Sequence, residues 1–184
     1  MCSEAMPKRT LPLSCGVRTM IAAFDVHYFG EDDASAGAVL FHEYTDAEAA
    51  AEYAVIVSGV SQYVPGKFYR RELPCILKLL ERIDEALDEM VIDGYVTLGD
   101  SPGLGQHLFE HFGGRIPVVG VAKSRYRGSS GIEVLRGRSK RPLHVTSAGI
   151  DPHLAAERIK AMHGAHRVPT LLRRVDLLAR QSAR

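Results

Sequence analysis

Three short runs that are apolar almost throughout, at residues 20–28, 90–93 and 118–122, constrain this chain more than any other feature. A strand that is apolar on both faces is buried between two layers, so these runs belong in the middle of a covered sheet. Helical spacing fills the gaps between the later ones. From Glu72 or Pro74 to about Leu87, the residues Ile76, Leu77, Leu79, Leu80, Ile83 and Leu87 recur on one helical face. Pro74 suits the first turn of that helix, where its missing N–H costs nothing. A second helix is expected over 104–112, and Pro117 opens the strand 118–122. Strands alternating with helices at this spacing pair in parallel through right-handed crossovers.

The first third of the chain has a different rhythm. Strands are expected at 20–28, 36–43 and 53–58, joined by connections short enough for an antiparallel meander, with a turn at 30–34 and a turn of helix over 47–52. Residues 132–135 and 143–146 read as a late hairpin. Asp151 and Pro152 read as the cap and first turn of a helix running to about His163, and a last helix runs from near Pro169 towards Arg180. A meander, then alternating helices and strands, then terminal helices is the order of a ribonuclease H-like α/β fold, a mixed central sheet flanked by helices. A length of 184 residues suits a single domain over 20–184. Residues 1–19 form an irregular leader, or lie upstream of a protein that starts at Met20.

No apolar run approaches the roughly 20 residues a membrane-spanning helix needs, so no membrane association is expected. Three cysteines at unrelated spacings argue against a disulfide framework and a thiolate zinc site, and a reducing cytoplasm is the simplest compartment. The net charge of +1 hides an asymmetry. Residues 1–92 carry eight Lys or Arg against fifteen Asp or Glu, residues 93–184 fifteen against seven. The densest stretch, 123–141, holds seven basic residues opposed by Glu133 alone. Such a segment is either a solvated basic face or a surface that neutralises phosphates.

Two acids stand where apolar residues are expected. Asp25 interrupts Ile21-Ala22-Ala23-Phe24 before Val26, and Asp93 ends Met90-Val91-Ile92 before Gly94. A buried carboxylate must be offset by a cation, by several donors or by protonation. Two acids at the carboxyl edge of one sheet would lie side by side and repel each other. A divalent cation resolves that repulsion, and oxygen ligands select Mg²⁺, with Mn²⁺ as a substitute. Glu72, at the start of the following helix, can reach the same edge. Lys123 directly follows the strand 118–122 and points there too, able to neutralise a phosphate oxygen or orient a water. Asp176 adds a further acid or forms a surface ion pair. His107 and His111, four apart on a helix, have Glu110 at the wrong offset for the zinc-protease pattern and read as structural or surface residues.

These residues carry a family resemblance. Phe24-Asp25-Val26-His27-Tyr28 resembles the first catalytic strand of the endonuclease V family. The stretch from Tyr63-Val64-Pro65-Gly66 to Arg71-Glu72-Leu73-Pro74 is its most specific match. Val91-Ile92-Asp93-Gly94, the segment from Ile116-Pro117 to Ala122-Lys123-Ser124, and Arg167-Val168-Pro169 with Arg173 and Asp176 follow in the family's order. The resemblance implies Mg²⁺-dependent endonucleolytic cleavage of DNA or RNA near a deaminated base, typically inosine, at the second phosphodiester on its 3′ side. It makes Asp25, Glu72 and Asp93 metal ligands and, with Lys123 and Asp176, the catalytic set. It places Tyr63 in a strand-separating wedge and Gly66, Gly94 and Gly103 beside an everted base. The chain departs from the family pattern around base recognition. The loop 94–103 lacks the usual His-Pro pair, and Gln62 replaces the Pro before the wedge Tyr.

Two other readings compete. One keeps the metal chemistry and changes the substrate to a particular structure or to single strands. The other is a non-catalytic nucleic-acid-binding relative. A monomer is compatible with the sequence, which does not determine the oligomeric state.

Overall fold

The computed structural model describes residues 19–61, 68–126, 128 and 131–183. The leader expected at 1–19, Thr19 apart, and the turn with Gln62, Tyr63 and Gly66 lie outside the described residues. A seven-stranded mixed sheet forms the centre, in the order β3-β2-β1-β4-β7-β9-β8. The strands β1 (Ile21–Phe29), β2 (Asp33–Phe41) and β3 (Ala51–Ser58) make the expected antiparallel meander. The strands β4 (Glu89–Asp93) and β7 (Val118–Ala122) join β1 in parallel. A small ribbon of β5 (Thr97–Leu98) and β6 (Ser101–Pro102) lies between them in sequence. Then β8 (Ile132–Val134) and β9 (Leu143–Ala148) add antiparallel to the far side of β7.

Strand alternation sends successive side chains to opposite faces, and each face has its own cover. The helices α1 (Tyr69–Leu80) and α2 (Leu104–His111) pack Cys75, Ile76, Leu79 and Leu108 against Ala22, Phe24, Met90 and Ile92. On the opposite face α3 (Pro152–Ala161) and α4 (Thr170–Gln181) bring Ile159, Leu171 and Val175 onto Ala23, Val39, Val91 and Val119. The result is the three-layered arrangement the sequence predicts. Asp151 caps α3 by accepting from the amides of His153 and Leu154 at 2.9 and 3.0 Å.

Three local expectations are corrected. Residues 47–50 are bends and irregular chain rather than a helical turn, and β3 begins at Ala51. The ladder with β2 outcompetes the helical preference of the Ala- and Glu-rich stretch. Helix α1 begins at Tyr69, so Pro74 is its sixth residue instead of lying in the first turn, which Glu72 occupies. The helix also stops at Leu80, well short of Leu87. Ile83 and Leu87 still pack on the core from the irregular segment that carries the chain to β4. Their burial reproduces the helical spacing without a helix. No helix among the described residues is long and apolar enough to cross a membrane.

Candidate active site

Where β4 ends, β1 continues. Phe24 lies opposite Ile92, so Asp25 and Asp93 come next on neighbouring parallel strands, both directed to the face that α4 covers. Asp25 is therefore a mid-strand residue of β1, bared because its parallel neighbour stops there, and its Oδ1 accepts from the Val26 amide at 2.8 Å. Asp93 pairs in register with Val121, and Lys123 follows two residues later on the same face. The Lys123 Nζ donates to Asp93 Oδ2 at 2.5 Å. From α4, Asp176 shares a side-chain hydrogen bond with Asp25, which requires a proton between the two carboxyl groups, and accepts from Arg180 at 3.1 Å. Glu72 approaches from the other layer, in the first turn of α1, and is only 9% exposed.

Electrostatics tie these groups together. Burial, then the charge of Asp93, pushes the Asp25 carboxyl up to about 7 against the pull of Lys123. Burial, then the charges of Asp25 and Asp93, pushes Glu72 up to about 8. Burial also acts on Asp176, but the hydrogen bonds with Arg180 and Asp25 hold it below its ordinary range. Burial works against the Lys123 ammonium, but the bond to Asp93 and the charges of Asp93, Asp25 and Asp176 together outweigh it, so its pKa lies above the usual lysine value. Carboxyl groups this close cannot all ionise without a compensating cation.

Among the described residues, no three His, Cys, Asp or Glu side chains are grouped as a ready-made ion cage. The donor chemistry nevertheless suits a hard divalent cation. The three acids offer oxygen only, burial and neighbouring carboxylates raise the pKa of Asp25 and Glu72, and among the described residues Lys123 is the cation hydrogen-bonded to Asp93.

Two hollows flank Asp93. A narrow one lies under α4, lined by Asp25, Asp93, Lys123 and the apolar Leu143, Val168, Leu172 and Val175. The other is a cleft open to solvent, walled by Glu72, Asp93 and the rings of Phe68, Tyr69, Tyr95 and Tyr126. Gly94 and Gly103 also line this cleft. The fold itself requires Gly103, because a Cβ there would meet the Tyr95 and Val96 carbonyl oxygens at 2.7 and 2.9 Å. The aromatic walls escaped sequence reasoning. Phe68 and Tyr69 stand one helical turn before Glu72, a usable signal. Tyr95 and Tyr126 are joined through space, with the Tyr95 hydroxyl donating to the Ser124 carbonyl at 2.8 Å and accepting from the Tyr126 amide at 3.0 Å. His107 stacks on Tyr69 with centroids 3.8 Å apart, a packing role as expected.

The basic stretch 123–141 divides in two. Arg138, Lys140 and Arg141 are exposed, but Arg136 is buried at 6% exposure and faces inward. Reading all seven basic residues as one solvated or phosphate-binding face is thus incorrect at Arg136.

Similarity to known proteins agrees with this architecture. The endonuclease V family model matches residues 8–148, more than half of the chain. An endonuclease V of Xylella fastidiosa is 30% identical over 112 residues, covering 60% of this chain, which spans about half (46%) of that relative's length. An endonuclease V of Streptomyces avermitilis is 28% identical over 88% of this chain and 80% of its own. Its crystal structure superposes with a TM-score of 0.75 over 90% of this chain and 82% of that one. The Ciona intestinalis endonuclease V, crystallised with a 24mer DNA containing an inosine followed by a ribo-adenosine, has a TM-score of 0.77 at 15% identity, over 94% and 88% of the two chains. With the family model matching residues 8–148 and a mixed sheet that superposes on endonuclease V structures, the chain belongs to the endonuclease V family.

Proposed function

We propose that this protein is a metal-dependent endonuclease that hydrolyses a phosphodiester bond near a deaminated base, inosine in particular, in DNA or RNA. The observation that carries the reading is the approach of Asp25, Asp93 and Glu72, from two strands and a helix of the opposite layer, to one sheet edge, where burial and then the charge of Asp93 raise the pKa of Asp25, and burial and then the charges of Asp25 and Asp93 raise that of Glu72. Asp25, Glu72 and Asp93 hold the cation, Mg²⁺ or Mn²⁺. A divalent ion bound there polarises a phosphodiester and eases deprotonation of a water nucleophile. The chain's own groups do the rest. Lys123, swung from Asp93, meets a non-bridging phosphate oxygen. Asp176, paired with Asp25, accepts or returns a proton at its carboxylate. The aromatic cleft beside Asp93 receives an unstacked base between flat walls, with Gly94 and Gly103 offering main chain to its edge. Tyr63 and Gly66 carry the roles the family resemblance implies, strand separation and contact with the everted base.

The test is cleavage of single- and double-stranded DNA and of RNA, each with and without one inosine, in Mg²⁺ or Mn²⁺. Nicking on the 3′ side of inosine is the expected result, lost in Asp25→Ala and Asp93→Ala while the circular dichroism spectrum is kept. Full activity in either variant removes the proposed site. A second reading, a metal-dependent nuclease selective for structure or single strands, rests on the loop 94–103, which has no His-Pro pair. It prevails if flap or mismatch substrates are cut and inosine confers no preference.

A further inference from the structure

The buried arginine of the basic stretch has no carboxylate partner among the described residues. Its guanidinium is instead surrounded by main-chain oxygens. Nε donates to the Lys160 carbonyl at 3.2 Å, and Nη1 to those of His166 and Arg167 at 3.0 and 3.4 Å. Nη2 donates to Gly164 at 3.2 Å and to Met162. All five acceptors lie between the last turn of α3 and the start of the run into α4. The negative end of the α3 dipole falls among them, which suits a permanent cation, and burial alone lowers the Arg136 pKa.

This cage has a downstream link to the candidate active site. Arg167, whose carbonyl Arg136 holds, donates its own Nη2 to the Lys123 carbonyl and to that of Pro142 at 2.8 Å. Lys123 in turn donates to Asp93. Three consecutive contacts therefore run from a buried guanidinium, through a loop without regular structure, to the ammonium at the carboxylates. The same loop, 162–169, delivers α4 and hence Asp176 to Asp25.

We propose that Arg136 is a positioning residue for catalysis. By clamping 160–167 onto the β8–β9 hairpin, it sets Arg167 as a brace on the main chain of Lys123 and so fixes where the ammonium stands. The proposal rests on the nuclease reading for its catalytic consequence but not for its structural one.

Arg136→Met keeps the apolar stem and removes the five donors. In the full-length protein, amide hydrogen exchange is expected to quicken at 160–168 and at 123–126, with the meander β1–β3 unchanged. On inosine-containing DNA with Mn²⁺, kcat is expected to fall roughly ten- to a hundredfold, the scale for misplacing a catalytic group through its support. KM should stay within about threefold. Wild-type protection at 123–126 would overturn the proposal. So would faster exchange throughout the chain, or a change confined to KM. If Arg136→Met does not fold, Arg167→Met decides, because it cuts the second link alone. It must release 123–126 while leaving 160–166 protected, and failure to do so overturns the proposal. A wild-type protein that cleaves none of the substrates defeats the nuclease reading separately, leaving the exchange comparison to decide the brace.

Discussion

Asp25 concentrates the chemistry of this protein at the scale of one residue. Its carboxyl is held near 7 by burial and by Asp93, and Glu72 is held near 8 by burial and by Asp25 and Asp93. Both folded-state values lie above those of an unfolded chain, so the unfolded state gives up these protons first as pH rises. The stability they contribute is complete below about pH 4 and is lost as pH climbs through 7 and 8. We expect the melting temperature of the metal-free protein to fall between pH 5 and 8. Asp25→Asn and Glu72→Gln, which cannot ionise, should each flatten that decline, and a divalent cation should offset it at pH 8. Equal slopes in wild type and both variants would show that these groups are not under mutual strain. The sequence already marked Asp25 as an acid in an apolar run and left open whether a cation, donors or a proton offsets it. The fold answers with Asp176, a partner 151 positions away, as its numbering shows.

At the scale of elements, placement of α4 determines which groups Asp25 meets. Gly37 of β2 lies opposite Asp25 in the β1–β2 register, and α4 crosses directly above it. A Cβ at Gly37 would stand 3.1 Å from the Ala179 nitrogen and 3.3 Å from the Val175 carbonyl oxygen, both backbone atoms of the helix. Gly37→Ala therefore has to lift α4, at a cost of about 1–3 kcal/mol for overpacking. Calorimetry should register this as a drop of several degrees in melting temperature, roughly 2–4 °C per kcal/mol at this size. An unchanged melting temperature would mean that α4 rides more loosely on β2 than the contacts imply. The strands and helices themselves were legible because each carries a strong periodic signal, and β7 (Val118–Ala122) matches its expected bounds to the residue. What was not legible depends on tertiary competition. The stretch 47–52 lost its helical preference to the β2 ladder, and Pro74 went deeper into α1 because nothing local marks Tyr69 as the start. Arg136 looked like its exposed neighbours, since a carbonyl cage assembled from residues 24 to 31 positions away leaves no local trace.

Across the whole molecule, the fold turns the charge asymmetry of the chain into a pattern around the site. The acidic first half supplies Asp25 and Glu72, and the basic second half supplies the strands beyond β4. Because β9 runs antiparallel to β7, with His144 opposite Ala122, the turn joining β8 to β9 leaves the sheet at the edge where Asp93 and Lys123 emerge. Arg138, Lys140 and Arg141 are exposed, on the rim of the carboxyl cluster. A polyanion bound across this edge would meet acids only where a cation can intervene, and bases along its flank. Neutralising a phosphate releases condensed counterions, so each basic contact steepens the salt dependence of binding by roughly 0.9 in log–log slope on duplex DNA. Replacing Arg138, Lys140 and Arg141 together with alanine should thus shallow the slope by about two to three for metal-free binding of inosine-containing duplex. Lys78 provides the control. It is exposed near the far end of α1, the helix whose first turn holds Glu72, so Lys78→Ala should leave the slope as it was. Equal slopes for the triple variant and wild type would place the nucleic acid on another face, and the rim would then be solvated charge alone.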